Sequence, residues 1–291
     1  MKKAFTLIEL IITMVILSVV SYIASGLIVK TYIGYNQINT INRINLKLEI
    51  VLNEIINRLE YAVPNSIVKR KSETNSSIAA INSAPLDYNV LEWTGYAKDS
   101  FNANLSDKKP GWSGYCNIVA SNQNTIITAG SNLPLTNNII TRLSNAKASL
   151  TNSSVAIFFM GEYDYLDIGY NGAASNQIGI IKNYTTNKFI LENNITSISE
   201  HYKLSWSAYA VVPTNYNATN KTFDLKLKYN FRPWKGEYYN SQNTPTTTLI
   251  KGVTVFKTYA TQNRIHVKVC IKDKFTINKT TSICKEKVVF R

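Results

Sequence analysis

The chain has 291 residues, 45% of them hydrophobic, and its 32 lysines and arginines against 18 aspartates and glutamates give a net charge of +14. This length allows one large or two small domains, and the positive charge favours anionic partners such as nucleic acid, lipid head groups or acidic protein surfaces. Its 3 cysteines are too few for a fold built on disulfides.

The first feature along the chain is an apolar run from Phe5 to Val29, in which Glu9 is the only charged side chain. As a helix this run would be roughly 37 Å long, enough to cross a bilayer. A carboxylate inside a spanning helix is unfavourable by roughly 2.5–3.5 kcal/mol on insertion scales. Glu9 is therefore either an accident near the membrane edge or a residue with a partner.

The helix is predicted to continue beyond this run, from Phe5 to near Tyr61. Apolar residues recur at three- and four-residue spacing along one face, which is the helical period. Pro64 favours an end just before it, because the residue preceding a proline disfavours helix. Gly26 and Gly34 weaken the helix by about 1 kcal/mol each. The apolar face consists of Ile38, Ile41, Ile44, Leu48, Leu52, Ile55 and Leu59.

The opening stretch "KKAFTLIEL" resembles the signature of type IV prepilins and type II secretion pseudopilins. That signature is a short basic leader, a small residue, and then F-T-L-I-E-L at the start of a long apolar helix. The resemblance implies that a membrane peptidase cuts between Ala4 and Phe5 and methylates the new N-terminus at Phe5. Many members of the family have glycine before the cut, and Ala4 keeps that side chain compact.

The resemblance also gives Glu9 a partner. After cleavage Phe5 would carry a protonated amine, and in a bundle of parallel helices Glu9 of one subunit would pair with that amine on a neighbour. The pair neutralises two charges in a medium of low dielectric constant, where either charge alone is unfavourable. Glu9 is therefore expected to recruit the subunit to the assembly and to set its register.

The rest of the chain predicts an antiparallel sheet. The segment 66–154 is rich in Asn, Ser, Thr and Ala and indicates loops and short elements, whereas strand patterns begin at "VAIFFMG". "HYKLSWSAYAVV" and "FDLKLKYNF" alternate at period two and should pair as a hairpin, followed by "VTVFKTYA", "RIHVKVCIK" and "SICKEKVVF". Packed on the apolar face of the helix, these strands give an α+β, type IV pilin-like fold.

Four segments follow from these patterns: a leader at 1–4, a transmembrane half-helix at 5–29, an amphipathic half-helix at 30–61 and an extracytoplasmic α+β domain at 62–291. The C-terminal half, around "LIKGVTVFK" and the strands after it, resembles the larger minor pseudopilins of the class J or W type. Major pilins are generally shorter, so the size of this domain also supports a minor subunit.

The resemblance implies a structural role in the bacterial inner membrane, with a cytoplasmic N-terminus before processing and a periplasmic domain. The expected partners are other major and minor pseudopilins, the prepilin peptidase and methyltransferase, and the inner-membrane assembly platform. The chain would prime or cap a short type II secretion or type IV pilus-like filament. If only the residues are considered, without the resemblance, the alternative is a single-pass membrane protein unrelated to filaments.

A second functional hypothesis concerns DNA. The basic residues are spread along the chain, and the one short cluster is Lys69, Arg70 and Lys71. Phosphate binding needs clustered cations, so this cluster is a candidate contact for nucleic acid or for anionic lipid. The chain could then be a DNA-contacting minor pilin of a competence apparatus.

Covalent features are predicted at two places. Cys270 and Cys284 lie close together in a segment that reads as a hairpin, and they are a candidate disulfide, whereas Cys116 is expected to be a buried apolar side chain. Asn75 and Asn194 each follow an acidic residue two places before and precede x-Ser or x-Thr, a pattern of bacterial N-glycosylation.

Catalytic and metal-binding patterns are absent from the sequence. It has no nucleophile elbow, phosphate loop, zinc pattern or paired catalytic carboxylates, so we expect neither an enzyme nor a cofactor. Of the two histidines, His266 falls on the polar face of its strand and is expected to be exposed to solvent. Glu162, Asp164 and Asp167 have oxygen ligands suited to calcium, although a turn-rich acidic loop is the commoner explanation and we expect no metal.

Overall fold

The computed structural model describes residues 6–71, 77–85, 87–103, 108–276 and 279–290. Its first element is a single helix, α1 (Leu7–Leu59), whose 53 residues make a rod about 80 Å long. The helix begins after Thr6 and ends shortly before Pro64. The predicted continuous helix is confirmed, and neither Gly26 nor Gly34 interrupts it.

The second half of α1 packs against the rest of the described chain, and the first half does not. Ile38 and Ile41, the first two residues of the predicted apolar face, are exposed because the sheet begins farther along the helix. Burial starts at Ile44 and follows the helical period. The buried side chains of α1 are Ile44, Leu48, Val51, Leu52, Ile55 and Leu59.

In the described residues an antiparallel sheet of eight strands packs on α1, with the order β13-β12-β11-β10-β9-β3-β1-β2. Its inner face supplies apolar side chains from every strand except the short β1 and β2 to one core with the helix. The strands of this first sheet are β1 (Val68–Arg70), β2 (Ile78–Ala80), β3 (Val90–Gly95), β9 (Ser207–Asn217), β10 (Thr222–Phe231), β11 (Thr246–Thr261), β12 (Arg264–Thr276) and β13 (Lys279–Phe290).

A second antiparallel sheet, of five described strands in the order β4-β7-β6-β5-β8, lies on the outer side of the first sheet. One of its faces packs against β1 and the loop around Tyr170. Its other face packs on helix α3 and the loop around Trp112. The remaining elements are α2 (Lys98–Asn102), β4 (Thr125–Ile127), α3 (Leu133–Leu143), β5 (Val155–Phe159), β6 (Ile178–Tyr184), β7 (Lys188–Leu191), β8 (Tyr202–Ser205) and a 3-10 turn at Pro233–Lys235.

The predicted strand "HYKLSWSAYAVV" is wrong as a single element. The chain leaves β8 at Ser205, passes Trp206 and enters β9 at Ser207, so it changes from the second sheet to the first. Tyr202 and Leu204 therefore belong to the core of the second sheet. The alternation persists on both sides of the break, which is why the pattern reads as one strand.

The predicted hairpin of β9 and β10 is confirmed, but its alternation is not uniform. Leu225 and Leu227 face α1, whereas Phe231 packs on the opposite face of the sheet. The pairing shifts between Tyr229 and Phe231, where Asn230 has a φ of 57°. This bulge inserts one residue and turns the side chains beyond it to the other face.

Ion pairs connect the edge strand β13 to α1. Lys285 and Lys287 point inward, and the Lys285 ammonium lies 3.0 Å from a carboxylate oxygen of Glu49. Lys287 also contacts Glu49 and donates to Oδ1 of Asn53 at 2.5 Å. These bonds lower the pKa of the Glu49 carboxyl, the Lys287 bond first. Inward-pointing lysines are one way in which proteins protect an edge strand from pairing with other chains.

Candidate functional site

Glu9 lies in the first turn of α1 and forms a capping box with Thr6. The Thr6 backbone N–H and hydroxyl each donate to Oε2 of Glu9 at 3.0 Å, and the Glu9 N–H donates to the Thr6 hydroxyl at 3.4 Å. The spacing T-x-x-E before an apolar run is the sequence signal for such a box. An interpretation based on charge alone overlooks the part played by Thr6.

The capping box occupies one oxygen of the carboxylate. Both bonds from Thr6 end on Oε2 of Glu9, and none of the described residues donates to Oε1. The local bonds therefore fix the direction of the side chain without using its whole capacity as an acceptor. Among the described residues, the second oxygen has no donor, so it can accept from a further group.

The surface around Glu9 suits lipid. The large apolar side chains from Leu7 to Val29 are exposed. The hydroxyls of Thr13, Ser18 and Ser25 donate to backbone carbonyls one turn earlier at 2.8–2.9 Å, so these polar groups are satisfied within the helix. In the part of the chain that the structure describes, α1 is the one helix long and apolar enough to cross a membrane.

The comparison with protein families tells what kind of helix this is. Residues 1–24 match the model of the prokaryotic N-terminal methylation motif. The N-terminal segment is that of a type IV prepilin-like protein. The family predicted from "KKAFTLIEL" is thereby confirmed. Comparisons with curated proteins and with solved structures give no match.

For a type IV prepilin-like protein, the motif implies processing by a prepilin peptidase and assembly with other pilins. The role is that of a structural subunit, and α1 fits a single-pass membrane anchor. Ala4 and Phe5, the residues predicted to flank the cut, lie outside the described residues. The four predicted segments, with their boundaries at 4, 29 and 61, stay a prediction.

The basic cluster of the prepilin-like protein does not form the predicted contact surface. Lys69, Arg70 and Lys71 are consecutive along β1 and just beyond it, and successive side chains of a strand point to opposite faces of the sheet. Arg70 is fully buried and Lys69 is nearly so. Lys71 is half-exposed and pairs with Asp87 at 3.3 Å. A nucleic acid or lipid surface could not reach the three cations together.

Arg70 is instead the centre of a buried polar network. Its Nε donates to Oε2 of Glu92 at 2.9 Å, and its Nη2 donates to the Tyr170 carbonyl at 2.8 Å. The Tyr170 hydroxyl donates to the Ser66 carbonyl at 2.8 Å. Burial raises the pKa of the Glu92 carboxyl, and the Arg70 charge opposes that rise. The sequence carries no local signal for this pair, because its partners come from separate strands.

Cys270 and Cys284 occupy directly paired positions on β12 and β13. Their Sγ atoms are 2.08 Å apart and their Cα atoms 4.0 Å apart, so in the structure a disulfide joins the two strands. Cys116 is buried, as predicted, and burial raises the pKa of its thiol.

Replacing both Cys270 and Cys284 by serine should lower the free energy of unfolding by about 3 kcal/mol, because the bridge closes a loop of 14 residues. Urea unfolding of the full chain in detergent micelles measures the change. A reductant should produce the same loss in the parent and none in the double variant. A parent whose stability does not respond to reductant would contradict the bridge.

The predicted glycosylation residues have different outcomes. Asn194 lies exposed in the loop after β7 and is accessible to a modifying enzyme. Asn75 lies outside the described residues. Glycosylation at either residue stays a prediction.

The acidic loop uses its carboxylates for turns. Asp164 Oδ1 accepts from the Leu166 N–H at 2.7 Å, and Asp167 Oδ2 accepts from the Asp164 N–H at 2.8 Å. Within the described residues, Glu162, Asp164 and Asp167 are not brought together as a set of metal ligands.

His266 is more enclosed than predicted, with 19% of its side chain exposed. It stacks on Tyr259 at 4.5 Å between ring centres, and its Nδ1 lies 2.8 Å from Oε1 of Glu286. The bonds from His266 and Tyr259 lower the pKa of the Glu286 carboxyl, the histidine bond first. The cross-strand pairing of Tyr259 with His266 explains the enclosure, since an aromatic neighbour covers the ring even on the polar face.

Proposed function

We propose that the chain is a minor pseudopilin that assembles through its N-terminal helix into a type II secretion or type IV pilus-like filament, which it primes or caps. Its globular domain would lie outside the cytoplasm, on the periplasmic side of the inner membrane. Its partners would be other major and minor pseudopilins, the prepilin peptidase and methyltransferase, and the inner-membrane assembly platform.

The observation that carries this proposal is the position of Glu9 and the hydrogen bonds that its carboxylate makes. Glu9 is a carboxylate at the head of an apolar helix, and one of its oxygens accepts from none of the described residues. The first half of that helix has no contact with the rest of the described chain. Such a carboxylate is unfavourable in lipid unless a cation joins it. The amine that processing would free on Phe5 of a neighbouring subunit is a cation at the right level of the membrane.

The competence alternative loses the feature that favoured it. A DNA-contacting pilin needs cations that reach phosphates together, and the cluster of Lys69, Arg70 and Lys71 does not offer this because Arg70 is buried in an ion pair. The net charge of +14 remains, but it is not concentrated at that strand.

The test is the mature N-terminus of the chain in the cells that produce it. We expect mass spectrometry to find N-methylated Phe5 as the first residue, and affinity purification from solubilised membranes to recover sister subunits that carry the same motif. An uncut Met1, or a cut elsewhere in the helix, would support an unrelated membrane protein. A correctly processed chain that purifies without any pilin-like partner would count against the assembly role.

A further inference from the structure

A groove runs between α1 and the first sheet at the end of the domain that lies nearer the N-terminal half of the helix. Its volume is about 450 Å³. The apolar residues that line it come from the helix and from strands β11 and β12. They are Ile44, Ile50, Val51, Leu249, Ile250 and Ile271.

Three lysines surround this apolar lining, one from each element. Lys47 belongs to α1, Lys251 to β11 and Lys272 to β12, and all three are exposed. None of the described residues that line the groove carries a carboxylate. The nearby Glu49 lies on the other side of the helix and is engaged by the lysines of β13. The groove therefore combines apolar surface with a concentrated positive charge.

The groove is continuous with the exposed face of α1. Leu46 and Ile50 are 65% and 67% exposed although they lie beyond the predicted membrane segment. Large apolar side chains exposed next to one another indicate an interaction surface. Under the proposed function, this is the face of the helix that a neighbouring subunit would meet.

Lipid head groups are too far away to fill the groove. Lys30 ends the apolar run, and about 25 Å of helix separate it from Lys47 at 1.5 Å per residue. The screening length at physiological salt is about 8 Å, so attraction to an anionic bilayer has decayed at that height. A second copy of this chain is also a poor occupant, because two chains of charge +14 repel each other.

We propose that the groove binds an acidic, amphipathic segment of a different subunit of the filament. The inference rests on the proposed function, since it takes assembly for granted and names the chemistry of the partner. The apolar side of the segment packs on Ile50 and Ile271, and its carboxylates pair with Lys47, Lys251 and Lys272. Charge complementarity of this kind selects the partner and rejects identical copies.

The experiment places a photo-crosslinking amino acid at Ile50 in the full chain, expressed in the cells that produce the filament. We expect an adduct with a different pilin-like subunit, at a peptide that carries aspartate or glutamate. The variant K47E/K251E/K272E should reduce the yield of this adduct by about tenfold or more. The matched control K182E/K221E/K257E reverses three exposed lysines outside the groove and should change the yield by less than about twofold.

Two outcomes overturn the inference: an adduct that joins Ile50 mainly to phospholipid or to a second copy, and a yield that the groove variant leaves unchanged. Failure of the proposed function looks different. In that case the parent chain lacks methylated Phe5 and recovers no pilin-like partner, whereas failure of the groove alone leaves processing and co-purification intact.

Discussion

Glu9→Gln should lower the equilibrium constant for co-assembly with sister subunits by about a hundredfold or more. The reason is that the variant leaves the amine of the neighbouring subunit without its counter-ion in lipid. Breaking one partner of a buried ion pair costs about 3–5 kcal/mol, and each 1.4 kcal/mol is about tenfold in an equilibrium constant. Glutamine is also accepted at this position of a capping box, so the variant removes the charge and keeps the local bonds to Thr6.

Thr6→Ala is the matched control, since it removes the cap and keeps the charge. Loss of a helix cap costs about 1 kcal/mol, which corresponds to about fivefold in assembly. Glu9→Asp keeps the charge on a shorter side chain and should fall between the two. Recovery of sister subunits with the tagged chain from solubilised membranes is the measurement, made only on variants in which Phe5 is processed as in the parent.

The pattern of the three variants separates two roles of Glu9. If the capping box is the main function of this residue, Thr6→Ala should be more harmful than Glu9→Gln, which keeps the box. If Glu9→Gln assembles like the parent, the electrostatic role is wrong, and the N-terminal helix serves only as an anchor.

The helix and the C-terminal strands were predictable because their signals are local. The spacing of apolar residues from Ile44 to Leu59 determines which face of α1 is buried, and β12 alternates without interruption from Ile265 to Ile271. Both patterns read correctly because each of these stretches keeps one face on the core that α1 shares with the first sheet.

Other features were not predictable because they depend on partners far away in the chain. The break at Trp206 is invisible to periodicity, since β8 and β9 alternate in the same phase but belong to different sheets. The bulge at Asn230 turns the side chain of Phe231 to the opposite face of the sheet, and the periodicity of the sequence does not show this either.

The candidate functional site also has features that the local sequence predicts and features that depend on distant parts of the chain. "KKAFTLIEL" identifies the family from consecutive residues, and the T-x-x-E spacing is sufficient to predict the cap. The cluster of Lys69, Arg70 and Lys71 misleads because a run of cations becomes a surface only if the backbone presents it on one face. The distribution of those side chains follows from β1 being a strand with Glu92 opposite Val68.

The second prediction with a large effect concerns the buried ion pair of Arg70 and Glu92. Arg70→Met should lower the free energy of unfolding by about 3–5 kcal/mol, because the Glu92 carboxylate would then lie buried without its cation. The double variant R70M/E92L removes both charges and should regain most of this loss, since apolar side chains of similar volume often replace a buried pair without penalty. Lys71→Met, which breaks the exposed pair with Asp87, should cost less than about 1 kcal/mol.

The loss of stability in Arg70→Met should also depend on pH, and the direction of this dependence follows from the burial of the Glu92 carboxyl. Burial raises the pKa of the Glu92 carboxyl above its ordinary value of 4.5, and removing the opposing Arg70 charge raises it further. The folded variant then holds a proton that the unfolded chain releases above pH 4.5, so its stability falls as the pH rises from there toward the folded pKa.

Urea unfolding of the full chain in micelles at pH 5 and pH 8 measures this dependence. The deficit of Arg70→Met relative to the parent should be smaller at pH 5 than at pH 8. The deficit of R70M/E92L, which has lost the titrating carboxyl, should instead be larger at pH 5 than at pH 8, because the parent itself loses stability over this range. A deficit that is equal at both pH values would mean that Glu92 reaches solvent when Arg70 is gone. In that case the loss in Arg70→Met would come mainly from the missing bond between Arg70 and the Tyr170 carbonyl.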